Sequence, residues 1–127
     1  MNERYRSHKD LRVYQLSYEL AMEIFGISNS FPSVEKYALT SQIRNSSRSV
    51  SANLTEAFRK RRYPKAFISK LSDAETEAAE TQTWLDFARD CKYINSVQCE
   101  SLNQEYDKVI GMIVKMISAP EKFTIIK

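Results

Sequence analysis

The 127-residue chain is short of turn residues: it has two glycines (Gly26, Gly111) and three prolines (Pro32, Pro64, Pro120). A β-sandwich or barrel needs a turn every ~8–12 residues, so neither fits. The two glycines do not cluster, which excludes the phosphate-cradling loops of Rossmann and P-loop domains. Cysteine is scarce as well. Cys91 and Cys99 are too few for a disulfide scaffold and lack the spacing of a zinc knuckle, so free thiols are expected. The one histidine, His8, lies in a charged segment without a Cys or His neighbour. No Glu-x-x-His pair of a di-iron bundle and no nucleophile elbow occurs. No catalytic residues, metal site or cofactor are therefore expected, and the chain reads as a non-enzyme. No apolar run exceeds the six residues from Val109 to Val114, and residues 1–12 are charged. Neither a membrane span nor a secretory leader is expected, which places the protein in the cytoplasm without a membrane partner.

What is present is helical periodicity. With 43% hydrophobic and 28% charged residues the chain can pack one domain over 1–127. Four amphipathic patterns follow one another, at about residues 10–28, 33–62, 65–93 and 96–118. In the first, Asp10 is the expected N-cap and Val13, Leu16, Leu20, Ile24 and Ile27 mark the apolar face. In the second, Leu39, Ile43, Val50, Leu54 and Ala57 form the stripe, with the small Ser46 and Ser47 on the same side. The third has the cleanest repeat: Phe67, Leu71, Ala74, Ala78, Thr81, Leu85 and Ala88 alternate spacings of four and three. That period favours knobs-into-holes packing, and its small residues imply a close neighbour. In the fourth, Ser96 is the expected N-cap and Leu102, Tyr106, Val109, Ile113, Met116 and Ile117 face inward. Short connections make successive helices antiparallel, so the expected fold is all-α, an antiparallel up-down-up-down four-helix bundle. The tail residues Phe123, Ile125 and Ile126 are expected to pack on the bundle or on a neighbouring subunit.

Charge is unevenly distributed. Residues 1–65 carry 12 Lys/Arg against 6 Asp/Glu, and residues 66–127 carry 7 against 10. On a regular second helix at about 100° per residue, Tyr37, Arg44, Arg48, Arg59 and Arg62 fall within about 60° of one another, almost opposite the apolar stripe. Arg59, Lys60, Arg61 and Arg62 also form a cationic run. Arginine suits phosphate through its bidentate fork, so Arg44, Arg48, Arg59, Lys60, Arg61 and Arg62 are the candidate nucleic-acid contacts, with Tyr37 a candidate stacking surface. The same cations could instead pair with the acidic third helix of another subunit. Between core and basic face, Gln42, Ser49, Asn53 and Glu56 make a polar stripe. With Glu77 and Glu80 of the third helix they are the candidate polar seam between helices or subunits. Paired carboxylates such as Glu77 and Glu80 could bind metal, but charges beside a heptad seam more often form interhelical ion pairs.

These residues resemble the bacterial 23S rRNA intervening-sequence proteins. The resemblance rests on Phe31-Pro32 with Glu35, on Leu39-Thr40-Ser41-Gln42-Ile43-Arg44, and on Ser49 with Asn53-Leu54-x-Glu56. The opening Lys9-Asp10-Leu11-Arg12-Val13-Tyr14-Gln15 and the later Glu77-Ala78-x-Glu80-Thr81-x-x-Trp84-Leu85 are also similar, so it spans about residues 8–118. It departs at Ser51, where a proline is common, and at Ala57, where a glycine is common. The resemblance implies a four-helix bundle that assembles into a ring-like homo-oligomer, commonly a pentamer. Some members of that family are encoded inside intervening sequences of rRNA genes. A related protein, the accessory variability determinant of diversity-generating retroelements, binds nucleic acid and a reverse transcriptase, so RNA or DNA, and a reverse transcriptase or other protein, are the partners to expect. The combined expectation is a non-enzymatic, homo-oligomeric nucleic-acid-binding protein, RNA being the favoured ligand. The alternative is an oligomeric protein-interaction scaffold whose basic and acidic helices pair between subunits.

Overall fold

A computed structural model of the chain describes residues 5–124. Within them the four helices are α1 (Arg12–Ser28), α2 (Leu39–Arg59), α3 (Pro64–Asp90) and α4 (Ser96–Ser118), packed in sequence into an up-down bundle. Packing is most extensive between α2 and α3 and least between α1 and α4, so α1 is the least enclosed helix. The inward stripes agree with their spacing. Every residue of the α3 repeat from Phe67 to Ala88 is buried, as are Ile43, Val50, Leu54 and Ala57 of α2 and Leu102 to Met116 of the α4 stripe. Leu16, Ile27 and Ile117 are only half-buried at the edges of the core.

The helix boundaries differ from the expected ones, each for a local reason. Asp10 does not cap α1. Its carboxylate accepts from the backbone N–H groups of Arg6 (2.7 Å) and Ser7 (3.3 Å), closing a capping box on a 3-10 turn at His8–Asp10. α2 begins at Leu39 and not at residue 33, because Pro32 leads into a separate 3-10 turn at Ser33–Glu35. Glu35 then serves as the distant cap. One carboxylate oxygen accepts from the Leu39 N–H (3.1 Å) and the other from the Tyr93 hydroxyl (2.8 Å). That pair of bonds ties the α1–α2 connection to the α3–α4 connection at one end of the bundle, and it raises the Tyr93 phenol above its usual value. At the other end α2 stops at Arg59 and not at 62. Pro64 is the first residue of α3, and helical geometry is disfavoured for the residue before a proline; Tyr63 is accordingly extended (φ −122°, ψ 92°). α3 ends at Asp90, three residues before the expected 93, with Lys92 in the left-handed region (φ 69°). Asn95, not Ser96, caps α4 in a reciprocal box with Gln98 (2.8 and 3.1 Å). In the tail Phe123 packs near Tyr5 and Phe67, while Ile125 and Ile126 lie outside the described residues.

The α2–α3 contact is close because small residues line it. Ser46, Ser47, Ala74, Ala78 and Thr81 are all buried, and the Thr81 hydroxyl donates to the Ser46 hydroxyl across the interface at 2.8 Å. Tyr106 of α4 fills the core on the other side of the bundle. It is fully buried, and its hydroxyl has no hydrogen-bond partner among the described residues. Burial, with the nearby Glu23 charge second, raises that phenol well above its usual value.

Two substitutions test this packing. Ala78→Leu should lower stability by about 1–3 kcal/mol in chemical denaturation, because no space remains for the added methylenes. Tyr106→Phe should instead raise it by about 1 kcal/mol, since it removes a buried hydroxyl whose desolvation is uncompensated.

Candidate nucleic-acid interface

With α3 occupying one flank of α2, the opposite flank faces α1, and there the first cations lie. Arg44 and Arg48 are one turn apart, and both guanidinium groups sit over the Phe25 ring of α1, at 4.8 and 5.7 Å from its centroid. Arg44 is also anchored at the end of α1. Its Nε donates to Ser28 Oγ (2.8 Å) and an Nη donates to Asn29 Oδ1 (2.9 Å). A cation is favoured there by the dipole of α1. Ser28 and Asn29 are neutral, so they orient the guanidinium without cancelling its charge. Arg44 is consequently half-buried, whereas Arg48 is exposed.

The second group occupies the corner between α2 and α3. Because the helix ends at Arg59, the run from Lys60 to Arg62 does not continue the azimuth of Arg44 and Arg48, and Arg62 leaves the face expected of it. Arg59, Lys60 and Arg62 are exposed. Arg61 turns back: its Nε donates to the Phe58 carbonyl (3.0 Å) and its guanidinium lies 3.6 Å from the Phe58 ring centroid. Burial, and then the charge of Arg59, hold it below the usual guanidinium value. Phe58, Arg59, Arg61, Arg62 and Tyr63 together line a concavity of about 320 Å³. Tyr37 also leaves the expected face. It lies in the turn before α2, 87% exposed, with Lys36 Nζ 5.3 Å from its ring centroid.

Ion pairs engage few of the described cations. Among the described residues the paired cations are Lys70, Arg89 and Lys108, all on α3 and α4. Arg44, Arg48, Arg59, Lys60 and Arg62 pair with no described carboxylate. No group of three His, Cys, Asp or Glu side chains that could hold a metal ion occurs among the described residues. Cys91 is exposed and Cys99 buried, with Cys99 Sγ directed at the Leu85 carbonyl (3.5 Å).

The polar residues of α2 divide differently from the α2 cations. Gln42 is exposed, and Asn53 Nδ2 donates within its own helix to the Ser49 carbonyl (2.9 Å). Glu56 reaches α3, where Lys70 Nζ binds it at 2.8 Å. On α3, Glu77 is half-buried and Glu80 exposed; burial first, then Glu80 and Asp73, raise the Glu77 carboxyl. Deeper in the same contact, the Thr81 hydroxyl donates to that of Ser46, which lies on the apolar side of α2 and not in this stripe. Sequence reasoning overlooked Phe25, Ser28 and Asn29, which hold the arginines. It also overlooked Tyr14, Tyr18 and Met22, whose spacing of four, continued by three to Phe25, was a readable second stripe on α1.

A family model described as 23S rRNA-intervening sequence protein matches residues 9–115 of the chain. A crystal structure of a protein with unknown function from the S23 ribosomal protein family of Bacteroides thetaiotaomicron VPI-5482 is similar at 30% identity and a TM-score of 0.75. The similarity covers 83% of this chain and 97% of that one. No curated protein matches.

The two groups of cations should separate in stability measurements. Arg44→Ala should cost about 1 kcal/mol, because it removes the side-chain bonds at the end of α1. Arg59→Ala, at an exposed position, should change stability by less than about 0.5 kcal/mol in the same denaturant titration.

Proposed function

This chain belongs to the 23S rRNA-intervening sequence protein family, and from that premise we propose that it is a non-enzymatic, homo-oligomeric protein that binds RNA through the cations of α2 and the α2–α3 corner. The observation that carries this reading is the clustering of Arg44 and Arg48 over one ring beside α2 and of the exposed Arg59, Lys60 and Arg62 at its end, none of them with a carboxylate partner among the described residues. An unpaired cation costs little in water but gains much from a phosphate, because counterions are released when the two meet. Arg44 and Arg59 are about 22 Å apart along α2 at about 1.5 Å per residue, enough for several phosphates. Phe25 and Phe58 hold three of the guanidinium groups in place beforehand, which lowers the entropy lost on binding. Contacts of this kind orient a backbone without reading bases, so the expected binding is tolerant of sequence. A ring of subunits would repeat the weak contacts and add avidity.

A second reading is favoured by Glu77, whose carboxyl is crowded by Glu80 and Asp73. In that reading the acidic stripe of one subunit meets the basic face of the next, and the protein is an interaction scaffold. Reversing Arg44 and Arg48 to glutamate would then dissociate the oligomer in light scattering.

The nucleic-acid reading predicts that affinity for a structured RNA falls linearly on a log–log plot against salt. Reversing Arg59 and Lys60 to glutamate should flatten that slope by about 1 for each phosphate that is no longer neutralised, with the subunit number unchanged. Absence of salt-dependent binding at low ionic strength would refute it.

A further inference from the structure

We propose that the groove between α1 and α2 is a stacking site for an unpaired nucleobase, with Arg48 on the adjoining phosphate; this rests on the nucleic-acid reading above. Tyr14, Tyr18 and Met22 stand on successive turns of α1; Tyr14 is half-buried against the core and meets the His8 ring edge-on (4.7 Å between centroids), and the next two lie open to solvent. Tyr18 and Met22 are 53% and 54% exposed. The Tyr14 and Tyr18 rings are 6.1 Å apart at their centroids, with planes inclined by 36°. Toward α2 they border a groove of about 300 Å³, closed by Arg48, Ser51 and Thr55. On their other side lies a second concavity of about 450 Å³ that Lys9 and Glu19 reach. The Tyr18 ring therefore projects between two open spaces, as a stacking platform must, with Tyr14 supporting it from below.

Charge selects the inner groove. In the outer concavity the charge of Lys9 is offset by that of Glu19, whereas Arg48 borders the inner groove without a carboxylate among its lining residues or an ion-pair partner among the described residues. The hydroxyls along the floor are already engaged. Ser51 Oγ bonds Ser17 Oγ at 2.9 Å, and Thr55 Oγ1 donates to the Ser51 carbonyl at 3.0 Å. The site therefore offers an aromatic face and a cation but few free groups to discriminate among bases, which matches a flat ring carrying an anion. An apolar helix of a protein partner is a poorer occupant, because it would bury the Arg48 charge without compensation. A duplex keeps its bases stacked on one another, so the site prefers unpaired strands.

The test compares a short single-stranded RNA containing the fluorescent base 2-aminopurine with a duplex of the same length at equal salt, using the full chain. The single strand should bind about ten-fold more tightly than the duplex, with the fluorescence of the base quenched on binding. Tyr18→Leu should lose about ten-fold in affinity for the single strand and leave duplex binding unchanged, whereas Tyr18→Phe should retain wild-type behaviour. Reversal of Arg59 and Lys60 to glutamate should weaken both ligands alike. Equal affinity for the two ligands, with Tyr18→Leu indistinguishable from wild type, would overturn the stacking site and leave the nucleic-acid reading intact. A change of subunit number in Tyr18→Leu with single-strand affinity unaltered would also overturn it, by marking the groove as a contact between copies. Failure of both RNAs to bind at low salt would overturn the two proposals together.

Discussion

The close approach of α2 and α3 is the constraint on which the remaining geometry depends. Serine, alanine and threonine at the contact allow the two backbones to come near, and larger side chains would separate them. The Thr81–Ser46 bond lies in the middle of this contact, where water cannot replace it. Once one flank of α2 is committed to α3, its stripe of cations can only face α1 or solvent. Lys70, paired with Glu56 and Asp73, closes the outer edge of the same contact with a salt bridge. The basic and acidic sides of the molecule thus follow from a packing decision.

Electrostatics then distinguishes charges of one sign by what holds them. Arg89 of α3 and Lys108 of α4 meet nearby carboxylates, and exposed pairs of this kind contribute little to stability. Arg44 and Arg48 of α2 lie against an aromatic ring, and Arg44 also binds neutral acceptors, which orient them and leave their charge available. Orientation without neutralisation is the arrangement that favours an external anion. The aromatic stripe of α1 lies beside it because α1 packs weakly against α4 and keeps one face uncovered.

Several residues that carry the family resemblance turn out to hold the fold together. Glu35 caps α2 from four residues away and binds Tyr93 across the bundle end, and Phe31 packs beside the same tyrosine. Thr81 and the alanine at 78 make the helix contact described above. Arg44 combines both roles, since it secures the end of α1 while its charge stays uncancelled. Residues of the cationic corner are different: Arg59, Lys60 and Arg62 are exposed and belong to no part of the core.

The periodicity of the chain alone determined the helix count, the order of packing and most of the core, because burying an apolar stripe leaves little freedom once helices are joined by short turns; Phe58 and Ile94 joined the core from outside the stripes. It also located the cations, since residue type and number are explicit in the sequence. Where helices start and stop was less legible. Asp10 and Ser96 both carry the chemistry of a cap, yet Asp10 is taken by a preceding turn and Asn95 precedes Ser96 with a better-placed partner. α2 ends at Arg59, ahead of the extended Tyr63 that precedes Pro64, and this shift of three residues moved Arg62 off the face assigned to it. Only the tertiary structure decided which arginines are anchored and which are free. That distinction depends on Phe25, Ser28 and Asn29, which are distant in sequence and meet α2 only when the bundle closes.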